Sequence, residues 1–333
     1  MKYFFAGLCA LGLLFLVRPA VADERPEVMI VNSYHPEFSW VKEHNSALEK
    51  ELSRRADVSV YNLDSKRLPG AESAANVVSV RKICESGLPD VAVLTDDFAL
   101  KSLGQYFVDR GVPVVFLGIN GNVRGYVDNV RKITGVFERP LVKRSLVHLR
   151  EIMGPEFKKV LVLLDDSLST RVFAEESLKD GLSFDISGVH ADVVLIKNFA
   201  QWKAECLSVK KRGYNGAVIG TYHIFRDRYG MHVDAEDVLR WTSRNCPVPL
   251  FALWDFSVGE GMAIGGFVIS GTDQGLEAAK LVNRILDGEK VEDIQPVLGR
   301  RGRLLFSGHE MERWGIELPA DFRRRGYLVR ILR

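Results

Sequence analysis

The side chains best placed for chemistry sit where short apolar runs give way to polar residues. Asn32, Ser33, Tyr34 and His35 follow the run at 28–31, Pro36 stops that run from extending, and Trp40 opens an amphipathic segment. Thr95-Asp96-Asp97 follows 91–94, and Asn120 closes 112–119. Asp165-Asp166-Ser167 follows 159–164, Thr221-Tyr222-His223 follows 217–220, and Trp254-Asp255 follows 249–253. Unbroken apolar runs of this length read as strands buried on both faces, the mark of a parallel sheet. Ligands of open α/β sheets lie outside the carboxyl ends of the strands. Residues at these ends are therefore expected to face a bound molecule. Polar loops with a hydrogen-bonded Tyr or His would leave the same pattern without a ligand.

Reactive constellations are not apparent. The paired carboxylates Asp96-Asp97 and Asp165-Asp166 each precede a helix, where acidic groups complement the N-terminal dipole, so capping explains them. No G-x-x-x-x-G-K loop, G-x-S-x-G elbow or H-E-x-x-H pair is present. Glycines 259, 261, 265 and 266 miss the G-x-G-x-x-G spacing by one position. The seven histidines are scattered, and only His35 and His223 fall at strand ends. The expectation is recognition rather than turnover, with no enzyme activity, metal or cofactor.

The elements that must position these groups alternate. Strands at 28–31, 58–63, 91–94, 112–119 and 134–137 are separated by helical spacing at 41–56, 74–86 and 98–110. After Pro140 the pattern restarts. Helices are expected at 141–153, 169–182, 199–212 and 234–244, with strands at 159–164, 189–196, 217–220 and 249–253. This predicts an α/β chain of two Rossmann-like lobes with parallel sheets, joined by a hinge. The N-terminal lobe would comprise residues 23–137 plus 268–333, and the C-terminal lobe 138–267. Crossings are expected near 121–134 and 255–266. A helix at 271–287 and strands at 304–306 and 327–332 would rejoin the first lobe.

Residues 1–22 differ from the rest. A basic start, an apolar run at 3–17 and Ala20-Val21-Ala22 form a secretory signal peptide with an A-x-A cleavage site. The apolar run is shorter than the ~20 residues a membrane span needs. The expected mature chain is soluble and periplasmic. Cleavage would remove Lys2 and Arg18, taking the formal charge from +2 to 0. A neutral chain gives no argument for a nucleic-acid partner. Arginines 300, 301, 303 and 323–325 read as a solvated basic face. Beyond the leader, Cys84, Cys206 and Cys246 leave at least one thiol free. Cys206 and Cys246 lie in the same half of the chain, and whether they pair is open.

Five stretches carry a family resemblance: NSYHPEFSW (32–40), PVVFLGIN (113–120), TGVFE (134–138), FSVGEGMAIGGFVIS (256–270) and LLFSGHEMERWGIELP (304–319). In this order they resemble the type I periplasmic binding proteins, in particular an ABC-transporter substrate-binding family also seen as sensor regions of bacterial kinases. The resemblance implies a hinged clamshell with a ligand between its lobes, and aromatic amino acids are ligands of some relatives. Position by position it assigns Ser33, Tyr34, His35, Trp40, Asp96 and Asn120 in the first lobe. In the second it assigns Asp165, Ser167, Tyr222, Trp254 and Asp255. Tyr34, Trp40, Tyr222 and Trp254 are expected to wall in the ligand, Ser33 and Ser167 to hold a carboxylate, and Asp165 or Asp255 to receive an ammonium. The implied partner is a membrane permease. A separate membrane sensor is the alternative, since no kinase or membrane segment is seen after Arg333. A monomer is implied by the resemblance alone.

Overall fold

The computed structural model describes residues 25–68, 70–179, 181–299, 302–320, 322 and 329–332. The expected leader and arginines 300, 301 and 323–325 lie outside the described residues.

In chain order, β1 (Glu27–Asn32), α1 (Ser39–Leu52), β2 (Asp57–Asn62), α2 (Gly70–Ile83), β3 (Val91–Thr95), α3 (Asp96–Val108), β4 (Val114–Ile119) and β5 (Ile133–Phe137) come first. Next are α4 (Val142–Met153), β6 (Lys159–Asp165), α5 (Leu168–Ser177), β7 (Ser183–Ile186), β8 (Val189–Ile196), α6 (Phe199–Ser208), β9 (Gly216–Ile219), α7 (Ala235–Asn245) and β10 (Leu250–Ala252). They are followed by β11 (Gly265–Val268), α8 (Gly271–Leu286), β12 (Val297–Leu298), β13 (Arg303–Ser307), α9 (Gly308–Trp314) and β14 (Val329–Leu332).

Two sheets carry the architecture. The first is parallel throughout, in the order β12-β5-β4-β3-β1-β2. Its two faces bury different apolar sets. Val28, Ile30, Val115 and Leu117 pack under α1 and α8, while Met29, Leu94, Val114 and Phe116 pack under α2 and α3. The second sheet runs β10-β9-β6-β8-β7, parallel except at β7. Alternate residues of β6 likewise enter two cores, Val160 and Val162 in one and Leu161 and Leu163 in the other. Burial on both faces explains why these strands read as continuous apolar runs, and the expected α/β class holds.

Three features differ from the sequence expectation. The helix expected over 169–182 ends at Ser177, and β7 forms a hairpin with β8. Its turn is Ser187-Gly188, with φ of 49° and 75°, the positive pair that a two-residue hairpin demands. The segment at 121–134 is not a crossing, because β4 and β5 are neighbours in one sheet. The chain leaves that sheet at 138–141. Finally, residues 268–333 do not all return to the first sheet. There α8 lies on α1 and β12 pairs with β5, but β13 pairs with β11 and β14 in a third sheet. Leu304 and Phe306 join the core of α4 and β6, and Leu305 joins that of α6 and α7. Gly265 permits this, since a Cβ there would sit 2.0 Å from the Leu305 carbonyl oxygen.

Candidate functional site

The carboxyl ends of the two sheets face one another across a cavity of about 450 Å³. The first sheet contributes Tyr34 after β1, Lys66 after β2, Asp96 after β3, Asn120 after β4 and Glu138 after β5. Phe38 and Trp40 enter from the start of α1. The second sheet supplies Ser169, Thr170 and Phe173 from α5, Thr221 and His223 after β9, and Trp254 and Phe256 after β10.

Two carboxylates reach this space. Asp96 has a left-handed backbone (φ 61°), uncommon outside glycine, and its Oδ1 accepts a hydrogen bond from Trp40 Nε1 at 3.1 Å. The chain makes room for it at Gly118, where a Cβ would lie 2.8 Å from that same oxygen. Burial pushes the Asp96 carboxyl well above its usual range, Glu138 adds to the shift, and Lys66 opposes it. Glu138 is held at both oxygens. Oε1 accepts from Trp254 Nε1 at 2.8 Å and Oε2 from Asn120 Nδ2 at 2.7 Å. Burial raises its carboxyl to about 7 against these bonds. Asp97 does other work: it accepts from the Gly121 amide and the Tyr126 hydroxyl and so ties down the turn after β4.

One cation balances them. Lys66 is nearly buried, with its ammonium 4.3 Å from the Tyr34 ring centroid and 5.3 Å from that of Phe38. Among the described residues it makes no ion pair within 4 Å. A desolvated ammonium over aromatic faces gains cation–π attraction but keeps its donors open to an incoming anion. Around it Phe38 packs on His223 (4.1 Å between centroids) and Phe256 (5.3 Å). Burial lowers the His223 pKa, so the ring is neutral at pH 7.

Of the residues expected at the site, Tyr34, Trp40, Asp96, Asn120 and Trp254 line the cavity. Others stand behind its wall. Ser33 Oγ donates to the Thr95 carbonyl and accepts from the Ala99 amide, fixing β1 to α3. Asp165 accepts from the His223 amide at 2.7 Å and from Thr170 Oγ1 at 3.0 Å, and Ser167 Oγ lies 2.9 Å from Thr170 Oγ1. His35 and Tyr222 line a separate open cleft with Arg67 and His232, outside Phe38, His223 and Phe256. Burial and Arg67 lower the His35 pKa to about 4. Asp255 meets Arg303 at 2.6 Å. Asp165 and Asp255 thus bond to protein groups and do not line the cavity, and the carboxylates turned to the cavity are Asp96 and Glu138. Phe38, Lys66, Glu138, Thr170 and Phe173 were not anticipated there, and His223 was placed at a strand end without being assigned to the ligand. Glu138 and His223 do follow strands and carry that signal.

No protein of curated function matches the chain. Among solved structures, a domain of an ABC protein in complex with L-Trp from Streptococcus pneumonia superposes with a TM-score of 0.65 at 14% identity, covering 92% of this chain and all of the other. A conserved domain protein from Vibrio cholerae gives 0.66 at 14% identity over 93% of this chain and all of its own. A periplasmic ribose ABC transporter protein from Conexibacter woesei gives 0.55 at 13% identity over 87% and 94%. These likenesses establish the type I periplasmic binding protein fold. The family model for ABC transporter substrate binding proteins matches residues 73–324. That span includes the second sheet, β3, β4, β5 and β12 of the first, and the cavity residues from Asp96 onward, and the chain belongs to the ABC transporter substrate-binding protein family.

Proposed function

We propose that the protein captures a small zwitterion of the amino-acid type, with an apolar or aromatic side group, for delivery to a membrane permease. The single observation that carries this reading is the composition of the cavity. It offers a buried ammonium that makes no ion pair within 4 Å among the described residues, a buried carboxyl at Asp96 whose Oδ2 has only a 3.3 Å bond from Thr95 Oγ1, and walls of Tyr, Phe and Trp. Lys66, with the hydroxyls of Ser169 and Thr221, would hold the ligand carboxylate. Asp96 would receive its ammonium, and Trp40, Trp254 and Phe256 would enclose the side group. Pockets of this kind are mostly apolar, with a few placed polar groups that set orientation. The pneumococcal neighbour in complex with L-Trp supports the same chemistry. The cavity is divided between two lobes, one around the first sheet with α8 and β12, the other around the second and third sheets. Closure of one on the other would bury the ligand. The segment 1–22 supports export to the periplasm.

The test is to purify the chain without refolding, denature it and identify released small molecules by mass spectrometry, beside a thermal-shift screen of amino acids, purines and sugars. A ligand that binds only the native state stabilises it by about 2.7 kcal/mol at a hundred times Kd. An amino acid that is both released and stabilising is expected. Asp96→Asn should then weaken its binding roughly 10- to 100-fold, as expected for loss of a charged hydrogen bond of about 1.5–3 kcal/mol. A neutral sugar as the released molecule, or unchanged affinity in the variant, would overturn the assignment.

A further inference from the structure

Helices α6 and α7 pack side by side in parallel on one face of the second sheet. Trp202 on α6 donates its indole N–H to Thr242 Oγ1 on α7 at 2.8 Å. One turn further along, at i+4 in both, stand Cys206 within α6 and Cys246 at the residue that ends α7. The two helices run in the same direction, so the register set by Trp202 and Thr242 also brings these cysteines together. Both are thiols here, and both are buried in the same apolar core, where each thiol acts on the other. Cys84 lies in the other core, 3.9 Å from Met29 Sδ beneath α2, and cannot reach either of them.

We propose that Cys206 and Cys246 are a disulfide site, closed when the chain folds in an oxidising compartment, and that Cys84 remains the free thiol. The proposal rests on the export reading above. The oxidant is a protein or glutathione disulfide. A thiolate of one cysteine displaces one half of that disulfide, and the thiolate of the other then displaces the second half. Two cysteine S–H bonds and the oxidant S–S bond are lost. One Cys206–Cys246 S–S bond and two oxidant thiols form, with the electron pair passing to the oxidant. Because the native thiols are buried, closure belongs to folding rather than to the finished protein.

The bond would have a consequence for the cavity. The segment between the two cysteines includes β9 and the loop that carries Thr221, His223 and Arg226. Its ends would be pinned together at the base of α6 and α7. A crosslink of this kind acts mainly by restricting the unfolded chain.

The experiment is peptide mapping without reduction, on the full chain refolded in a glutathione redox buffer and, separately, on chain recovered from cell fractions. The expected result is one linked peptide pair containing Cys206 and Cys246 that separates on reduction, with Cys84 alkylated without reduction. Reductant should lower the Tm of the wild-type chain by several degrees and leave Cys206→Ser/Cys246→Ser unchanged. If both thiols are alkylated after glutathione refolding, or Cys84 is the linked residue, the disulfide site is wrong. A bond that forms in the redox buffer in chain found only in the cytoplasm would overturn export and leave the site standing.

Discussion

Glu138 joins the two halves of the cavity at the level of single atoms. It follows β5 on the first sheet, yet one of its oxygens is held by Trp254, which follows β10 on the second. Burial raises its carboxyl from the ordinary 4.5 to about 7. An acid whose folded pKa is raised binds its proton more tightly in the native state than in the unfolded one. Its contribution to stability is therefore full below about 4.5 and is lost as the pH rises through about 7. Over that window the native state sheds a proton that the unfolded chain has already lost. Glu138→Gln removes the titrating group and keeps an oxygen to accept from Trp254. Tm measured from pH 5 to pH 8 should fall less steeply in the variant than in the wild-type chain. Equal slopes would mean that Glu138 is ionised throughout, held so by its two N–H donors.

At the scale of elements, the site depends on how closely β4 passes the start of α3. Gly118 sits at φ 69°, and a methyl group there would press on Asp96 Oδ1 and approach the Trp40 ring. Gly118→Ala should cost about 1–3 kcal/mol through the left-handed backbone and the displaced carboxylate. It should also weaken ligand binding, because Asp96 loses its bond to Trp40. Urea unfolding and binding titrations on the same variant separate the two effects, and a variant as stable and as tight-binding as the wild type would sink the argument. The sequence announced β1, β3, β4 and β6 because these strands are buried on both faces, so the residues at their ends, Tyr34, Asp96 and Asn120, could be placed. β2 is an edge strand of half-buried, alternating residues, and nothing in the loop after it marked Lys66 as a site residue. Asp165 and Asp255 were placed at strand ends correctly. Strand position does not say which way a carboxylate turns, however, and their partners, the His223 amide and Arg303, come from distant parts of the chain. The third sheet was hidden for a similar reason. A short apolar run such as 304–306 can add to any sheet, and the glycines of β11 chose its partner through backbone contact rather than through side-chain pattern.

On the scale of the whole molecule, the contacts between the two lobes fall into an inner and an outer set. The inner set is the cavity itself, with Phe38 against His223 and Phe256, and Trp254 against Glu138. The outer set includes one bond between residues that do not line the cavity. Arg226, in the loop after β9, donates Nη2 to the Arg67 carbonyl at 2.6 Å across the cleft, while its Nη1 holds Gly230. Arg67 is itself held in place by Asp64 at 2.7 Å. A latch of this form touches no ligand, so it favours the closed arrangement without adding to recognition. A ligand shifts such an equilibrium only by its differential affinity for the two states. Removing the latch should therefore leave the specificity order intact and shorten the time the ligand stays bound. Arg226→Ala is expected to raise the dissociation rate roughly five- to tenfold, about the weight of one hydrogen bond from a charged donor with partial solvent exposure. Its radius of gyration in solution scattering should contract only at higher ligand concentration than the wild type requires. An unchanged dissociation rate would place the control of closure in the inner set alone. A changed ranking among ligands would mean that Arg226 reaches the bound molecule by a route other than the latch.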